Sequence, residues 1–244
     1  MNSPLTFTPI GIIRSCFSEK FGIPRQPGLV PAARATLEIG PPYSRAEAFR
    51  GLDAFSHLWI VFVFHGIAAG KWQPTVRPPR LGGNRRIGVF ATRSTFRPNP
   101  IGLSSVRLES VRQRGDHMTL ALSGVDLLDR TPVLDIKPYL PWADCIDGAS
   151  GGFAAAPPQS GLTVRFSDAA RAACQRVEAR YPGFTALVEQ VIAADPRPAY
   201  GAPRTDFGVR LYGINVRWTV DGDVARVKWV EEDIDPVAGP ADAP

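Results

Sequence analysis

Between Ala54 and Leu108 the sequence contains no aspartate or glutamate. The same stretch carries Lys71, Arg77, Arg80, Arg85, Arg86, Arg93, Arg97 and Arg107. Segregated positive charge repels itself unless something negative is bound, so the block implies a polyanionic partner and a phosphate-facing surface. Cysteine is scarce: Cys16, Cys145 and Cys174 lie far apart, with no CxxC pair and only three histidines. That argues against a disulfide framework or a zinc site, and no metal is expected. No window approaches the roughly 18 uninterrupted apolar residues of a membrane span. Met1 to Ile13 lacks the basic-then-apolar pattern of a signal peptide. The expectation is a reduced, cytoplasmic protein with no membrane partner. No GxGxxG follows a strand, so a Rossmann cofactor site is absent, and any cofactor must be held by irregular loops.

What is present favours strands. At 244 residues and 44% hydrophobic the chain can bury a real core, while 24 prolines and 23 glycines favour short strands and turns. Strands are expected at Leu5 to Arg14, Thr36 to Ile39 and Ile87 to Ala91. Phe55 to His65, almost continuously apolar, is expected to be buried on both faces. Ser44-x-x-Glu47 has the form of a capping box for a short helix. Ile101 to Val111 and His117 to Ser123 form a hairpin around Gln113-Arg114-Gly115-Asp116, and Val133 to Tyr139 adds another strand. Lys71 to Gly83 reads as a long polar loop. The fold class expected is mainly β: a small N-terminal β-barrel domain over residues 1–144 and a smaller C-terminal α+β domain over 162–235. The Gly/Ala/Pro-rich segment 145–161 reads as a linker and 236–244 as a disordered tail. In the second unit the pattern predicts a strand at Leu162 to Phe166, helices Asp168 to Arg180 and Phe184 to Ala193, and a hairpin joining Ile214–Val220 to Val224–Val230 through Asp221-Gly222.

The chemistry concentrates in loops. Arg93 and Arg97 precede Pro98-Asn99-Pro100, a triplet that stiffens the turn and holds planar donors ready for an anion. Arg86, Arg97 and Asn99 are the candidates for contact with the nucleic-acid substrate. Phe21 to Pro31, rich in proline and glycine, presents backbone groups and Arg25. Gln26 there offers a primary amide, and Arg25 and Arg93 offer guanidinium groups for an anion. Asp135 and Lys137 alternate along a strand and share one face, as a base and an anion clamp or as an ion pair. Arg197 is a candidate phosphate contact, and Tyr200 a candidate stacking residue.

Six blocks occur in order: FGIPRQPGLVP from Phe21, FSHLWIVFVFH from Phe55, RPPRLGGN from Arg77, GVFATRSTFRPNPIGLS from Gly88, DLLDRTPVLDIKPYLPWAD from Asp126 and DPRPAY from Asp195. Together they closely resemble the TrmO-type tRNA (adenine-37-N6)-methyltransferases. The resemblance implies a β-barrel enzyme that uses S-adenosylmethionine, without a metal, to methylate N6 of threonylcarbamoyladenosine beside the anticodon, and that works as a homodimer. Carried over by position, cofactor contacts would come from Pro24, Arg25, Gln26, His65, Gly66, Arg93 and Leu103, and from Asp126, Leu127, Leu128 and Asp129. The catalytic candidates are Asp135 and Lys137. The family usually has glycine where this chain has Arg130, and a turn needing positive φ there would strain an arginine. Two other classes are compatible with the residues: a methyltransferase acting on another RNA site or a small molecule, and a non-catalytic RNA-binding module. The DPRPAY block lies far along the chain from the cofactor loops, so in a dimer it would serve the partner's site.

Overall fold

The computed structural model describes residues 5–68, 70–81, 85–158, 161–198 and 205–232. Its first half holds strands β1 (Gly11–Ser15), β2 (Arg34–Ile39) and β3 (His57–Val63), then a short ribbon of β4 (Thr75–Val76) and β5 (Ile87–Gly88). Next come β6 (Ile101–Arg114), β7 (His117–Ser123) and β8 (Pro132–Pro138), followed by a single helical turn, α1 (Pro141–Asp144). Six of these strands close into an antiparallel barrel in the order β1-β2-β7-β6-β3-β8. Alternation explains the closure. Ala35, Leu37 and Ile39 of β2, Leu58, Ile60 and Phe62 of β3, and Met118, Leu120 and Leu122 of β7 all point inward and are buried. A barrel this narrow is filled by its own side chains, so ligands must bind outside it or at its rim.

The second half contains β9 (Thr163–Phe166), α2 (Asp168–Glu178), α3 (Phe184–Ala193), β10 (Asp206–Leu211), β11 (Ile214–Asp221) and β12 (Val224–Glu232). The sheet order is β10-β11-β12-β9, with β9 parallel to β12 and the other pairs antiparallel. Ser167 caps α2 as its sequence implies, its Oγ accepting from the Ala170 amide at 3.2 Å.

Several local expectations need correction. β3 is not buried on both faces: Leu58, Ile60 and Phe62 face the core while His57, Trp59, Val61 and Val63 remain half-buried on the outside. The residues Leu5 to Ile10 precede the first strand, which starts only at Gly11. Ile87 to Ala91 is two strand residues followed by a 3₁₀ turn over Val89–Ala91. Ser44 caps nothing; its buried hydroxyl donates to the Asp116 carbonyl, and the 3₁₀ turn Ala46–Phe49 starts after Arg45. Long-range satisfaction of a buried polar group outcompetes the local cap. The loop from Lys71 is broken by β4 and by a 3₁₀ turn over Pro79–Leu81. α2 ends at Glu178, two residues early. The sheet of the second half has a fourth strand, β10, which the sequence reading missed.

The two halves share one core, and the segment between β1 and β2 is the joint. Phe17 bridges to both Leu128 and Leu211. Cys16 O accepts from the Tyr212 amide at 2.8 Å, Glu19 Oε1 from the Arg210 amide at 2.9 Å, and Gln190 Oε1 from the Ala32 amide at 2.9 Å. Phe21 stacks on Trp218 with centroids 6.1 Å apart. Between these anchors Gly22 takes φ 89°, and a Cβ there would lie 2.4 Å from Val209 Cγ2. Only glycine allows the chain to turn against β10 this closely. The proline-rich first loop is therefore held in place by the second half of the molecule.

Candidate cofactor site and nucleic-acid interface

The loop between β7 and β8 lies against that first loop at the barrel rim. Gly28 N donates to Gly124 O at 2.8 Å, and Asp129 N to Phe17 O at 2.8 Å. Two aspartates of the β7–β8 loop have different fates. Asp129 turns its carboxylate to the protein, accepting from the Ser15 amide at 2.9 Å. Asp126 accepts from the Ser104 hydroxyl at 2.5 Å through Oδ1. Burial pushes the Asp126 carboxyl up to about 6, while the Ser104 hydroxyl and the Arg93 charge act in the opposite direction. Arg93 also reaches the first loop, donating to Gln26 Oε1, and Gln26 Nε2 donates back to Arg25 O at 2.5 Å. Pro24 is buried and Arg25 exposed.

The end of β3 meets the same rim. Gly66 packs so closely that a Cβ would lie 3.3 Å from Leu128 Cδ2, and Lys20 Nζ donates to Gly66 O. His65 is exposed, its Nδ1 3.4 Å from Thr131 Oγ1, which donates to Leu128 O at 2.7 Å. Arg130 adopts φ 62°, the left-handed conformation that a glycine would take without strain. Its amide donates to Ile13 O at 2.8 Å, so backbone pairing to β1 holds the turn in this shape despite the side chain.

Leu103, Asp135 and Lys137 lie on the outer face of the barrel. Across β6, β3 and β8 the register places Leu103 opposite Val61 and Val61 opposite Asp135; Trp59 pairs with Lys137. Lys137 Nζ lies 2.8 Å from Asp135 Oδ2. Leu103 and Ile101 are exposed there, 54% and 39%.

The arginine loop divides its two guanidinium groups. Arg97 Nη1 donates to the carbonyls of Thr92 at 2.8 Å and Val89 at 3.3 Å, with its charge 5.6 Å from the Phe90 ring. It shapes the loop from within, and Arg93 is the guanidinium turned to the rim. Asn99 is exposed, and Arg86 Nη1 donates to Thr75 Oγ1 at 3.0 Å across the β4–β5 ribbon. Among the described residues Lys71, Arg77, Arg85, Arg86, Arg93 and Arg97 form no ion pair. Unpaired cations concentrated on one segment suit phosphates.

The Asp195 turn folds back toward the first loop of its own chain. Arg197 grips the Asp195 carboxylate with Nε at 2.6 Å and Nη2 at 2.8 Å. Burial opposes ionisation there, but Arg197 and the more distant charge of Arg25 hold the Asp195 carboxyl below its usual value. Tyr200 lies outside the described residues. The sequence reading missed Ser104, Lys20, Thr131 and Ser15, which position Asp126, Gly66, Leu128 and Asp129. Ser104 carried one usable signal: a serine at an inward position of a strand must find a polar partner.

A carboxylate, a guanidinium and a primary amide, gathered by loops on a closed sheet, offer partners to a small ligand carrying hydroxyls and a carboxylate. S-adenosylmethionine has those groups, so the donor set fits it. This architecture defines a class of barrel proteins distinct from the doubly wound cofactor-binding folds. Similarity to known proteins extends over both halves of the chain. Residues 12–145 match the tRNA-methyltransferase O N-terminal domain, and residues 159–233 the TrmO C-terminal domain. A tRNA (adenine(37)-N6)-methyltransferase of Escherichia coli is 51% identical over 89% of this chain and 94% of that protein. A probable S-adenosyl-L-methionine-binding protein of Pyrococcus abyssi is 39% identical over 57% of this chain and 71% of that protein. The crystal structure of TrmO from Pseudomonas aeruginosa superposes with a TM-score of 0.76 at 44% identity, covering 93% of this chain and 98% of that one. The chain belongs to the tRNA-methyltransferase O family.

Proposed function

We propose that this protein is an S-adenosylmethionine-dependent methyltransferase that modifies N6 of adenine 37 in tRNA, with N6-threonylcarbamoyladenosine as the base it accepts. The observation that carries the reading is the rim cluster of Asp126, Arg93 and Gln26, beside a basic segment free of carboxylates, in a chain whose two halves both match the family. When bound, S-adenosylmethionine supplies an electrophilic methyl group on a cationic sulfur. Asp126 accepts hydrogen bonds from the ribose hydroxyls, and Arg93 or Arg25 pairs with the amino-acid carboxylate. Pro24, His65, Gly66 and Leu128 line the rim loops around the ligand. Ionised Asp126 is favoured by a nearby positive charge, so cofactor binding lowers its elevated pKa.

Asp135 takes the proton that the adenine nitrogen must lose, and Lys137 holds the threonyl carboxylate of the base. Their existing ion pair keeps the lysine close to the aspartate until substrate arrives. Adenine 37 is already unpaired in an anticodon loop, so presenting it costs little. Arg86, Asn99, Arg197 and Tyr200 contact the RNA. In the homodimer that the cytoplasmic enzyme forms, a second copy covers the exposed Ile101 and Leu103 and leaves Asp135 and Lys137 open to the RNA.

Two measurements test the reading. Calorimetric titration with S-adenosylhomocysteine should give one site per chain, weakened in Arg93→Ala. Mass analysis of nucleosides from tRNA incubated with protein and S-adenosylmethionine should show one methyl group added to threonylcarbamoyladenosine. Binding of tRNA with no cofactor affinity would reduce the protein to an RNA-binding module. Methylation of another nucleoside, or of a small molecule only, would reassign the substrate.

A further inference from the structure

The outer face of the second sheet takes no part in the rim site. Its inner face is core, with Val209, Val216, Trp218 and Val227 buried beneath the helices. On the outside the register sets Arg226 of β12 directly opposite Arg165 of β9, with Thr219 of β11 on its other side. A register shift at Arg217/Trp218 leaves Lys228 as an extra residue and Trp229 opposite Arg217. A bulge of this kind turns two successive side chains to the same side. Lys228 Nζ accordingly lies 5.8 Å from the Trp229 ring, which is 51% exposed. Arg165, Arg217 and Arg226 are exposed. Among the described residues none of these four cations forms an ion pair. Three carboxylates share this face and lie toward its margins: Asp206 beyond Thr219, Glu231 beside Asn215, and Asp221 at the β11–β12 turn, diagonal to Arg226.

Like charges directly opposite in a sheet destabilise the pair, and among the described residues no ion pair offsets Arg226 against Arg165. The bulge adds a further cation to the same patch. An arrangement that costs the free protein stability and gathers guanidinium groups around an exposed ring matches a phosphate-bearing strand. Guanidinium groups bind phosphate bidentately, and an aromatic ring on an open sheet face receives ribose or base. We infer that the outer face of the C-terminal sheet is a second RNA-binding surface, taking the sugar–phosphate backbone of the tRNA whose target adenine enters the barrel rim. This rests on the tRNA reading above.

The test uses the full chain with Arg165→Gln, Arg217→Gln and Arg226→Gln combined, beside a matching triple Lys variant that keeps the charge. tRNA affinity is measured by filter binding across a salt series. The Gln triple variant should weaken tRNA on the order of tenfold at moderate salt. Its salt-dependence slope should fall by about one for each cation removed. The Lys variant should keep the wild-type slope, and both should bind S-adenosylhomocysteine as wild type does. Arg226→Gln alone, which relieves the like-charge pair, provides a folded control and should lower the slope by about one. A Gln triple variant with wild-type affinity and slope overturns the inference while leaving the methyltransferase reading intact. Wild-type protein that binds cofactor but no tRNA overturns both. Loss of binding to vesicles containing anionic phospholipid, with tRNA binding unchanged, would assign the face to a membrane and overturn it as well.

Discussion

Replacing Asp126 by asparagine keeps the shape of the side chain and leaves the Ser104 hydroxyl an acceptor, but removes the charge. Burial lifts this carboxyl from 3.8 to about 6, so the folded chain holds the proton more tightly than the unfolded chain. The sign follows from proton uptake on folding: stability falls as pH rises from about 4 to about 6, and the deficit then stays constant. A rise of that size corresponds to about 3 kcal/mol at its ceiling. Because the side chain is only half-buried, solvent screening reduces the expected effect to about 2 kcal/mol. The asparagine variant should therefore exceed wild type by about 2 kcal/mol more at pH near 8 than at pH near 4. Urea unfolding at the two pH values reads this difference directly. An offset of equal size at both would refute the argument that burial raises this carboxyl. The same variant should lose S-adenosylhomocysteine affinity, so the position trades stability for ligand binding.

Arg130→Gly relieves a left-handed arginine at φ 62°. The relief of about 1–3 kcal/mol exceeds the entropic cost of glycine, about 0.5–1 kcal/mol. The ion pair given up, Arg130 to Asp129 at 3.8 Å with the arginine 67% exposed, contributes little. A net gain of about 1 kcal/mol in urea unfolding is expected, and a loss of stability would mean the side chain contributes more than its contacts indicate. Arg93→Ala should weaken S-adenosylhomocysteine with little effect on tRNA, because Arg93 faces Gln26 and Asp126. Arg86→Ala should do the reverse, lowering the salt slope of tRNA binding by about one. Equal effects of both changes on both ligands would undo that division.

Much of the architecture was legible because it is local. Alternation marks β2, β7 and β11, Gly115 at φ 59° closes the two-residue turn of the β6–β7 hairpin, and Ser167 starts α2. β10 is not legible in the sequence because DFGVRL is short, and Gly208 interrupts its alternation. The outward half of β3 was misjudged because a run of apolar residues has no period from which to read which face is covered. Within the site, sequence marked Asp126 and Asp129 alike, and Arg93 and Arg97 alike. What separates them is their partners, such as the Ser15 amide, 114 residues from Asp129, and the Thr92 carbonyl that Arg97 holds.

The amino-acid order alone determined the strand-rich class, the basic segment with no carboxylates and the six blocks that identify the family. These are carried by residue type and spacing along the chain. Only the tertiary structure decided that the first loop is clamped between the barrel and the second sheet, and that Ser104 holds the Asp126 carboxylate. The bulge that turns Lys228 and Trp229 to one face was likewise settled there. Such outcomes depend on which distant backbone groups pair, and strand register across a closed sheet is a property of the whole fold.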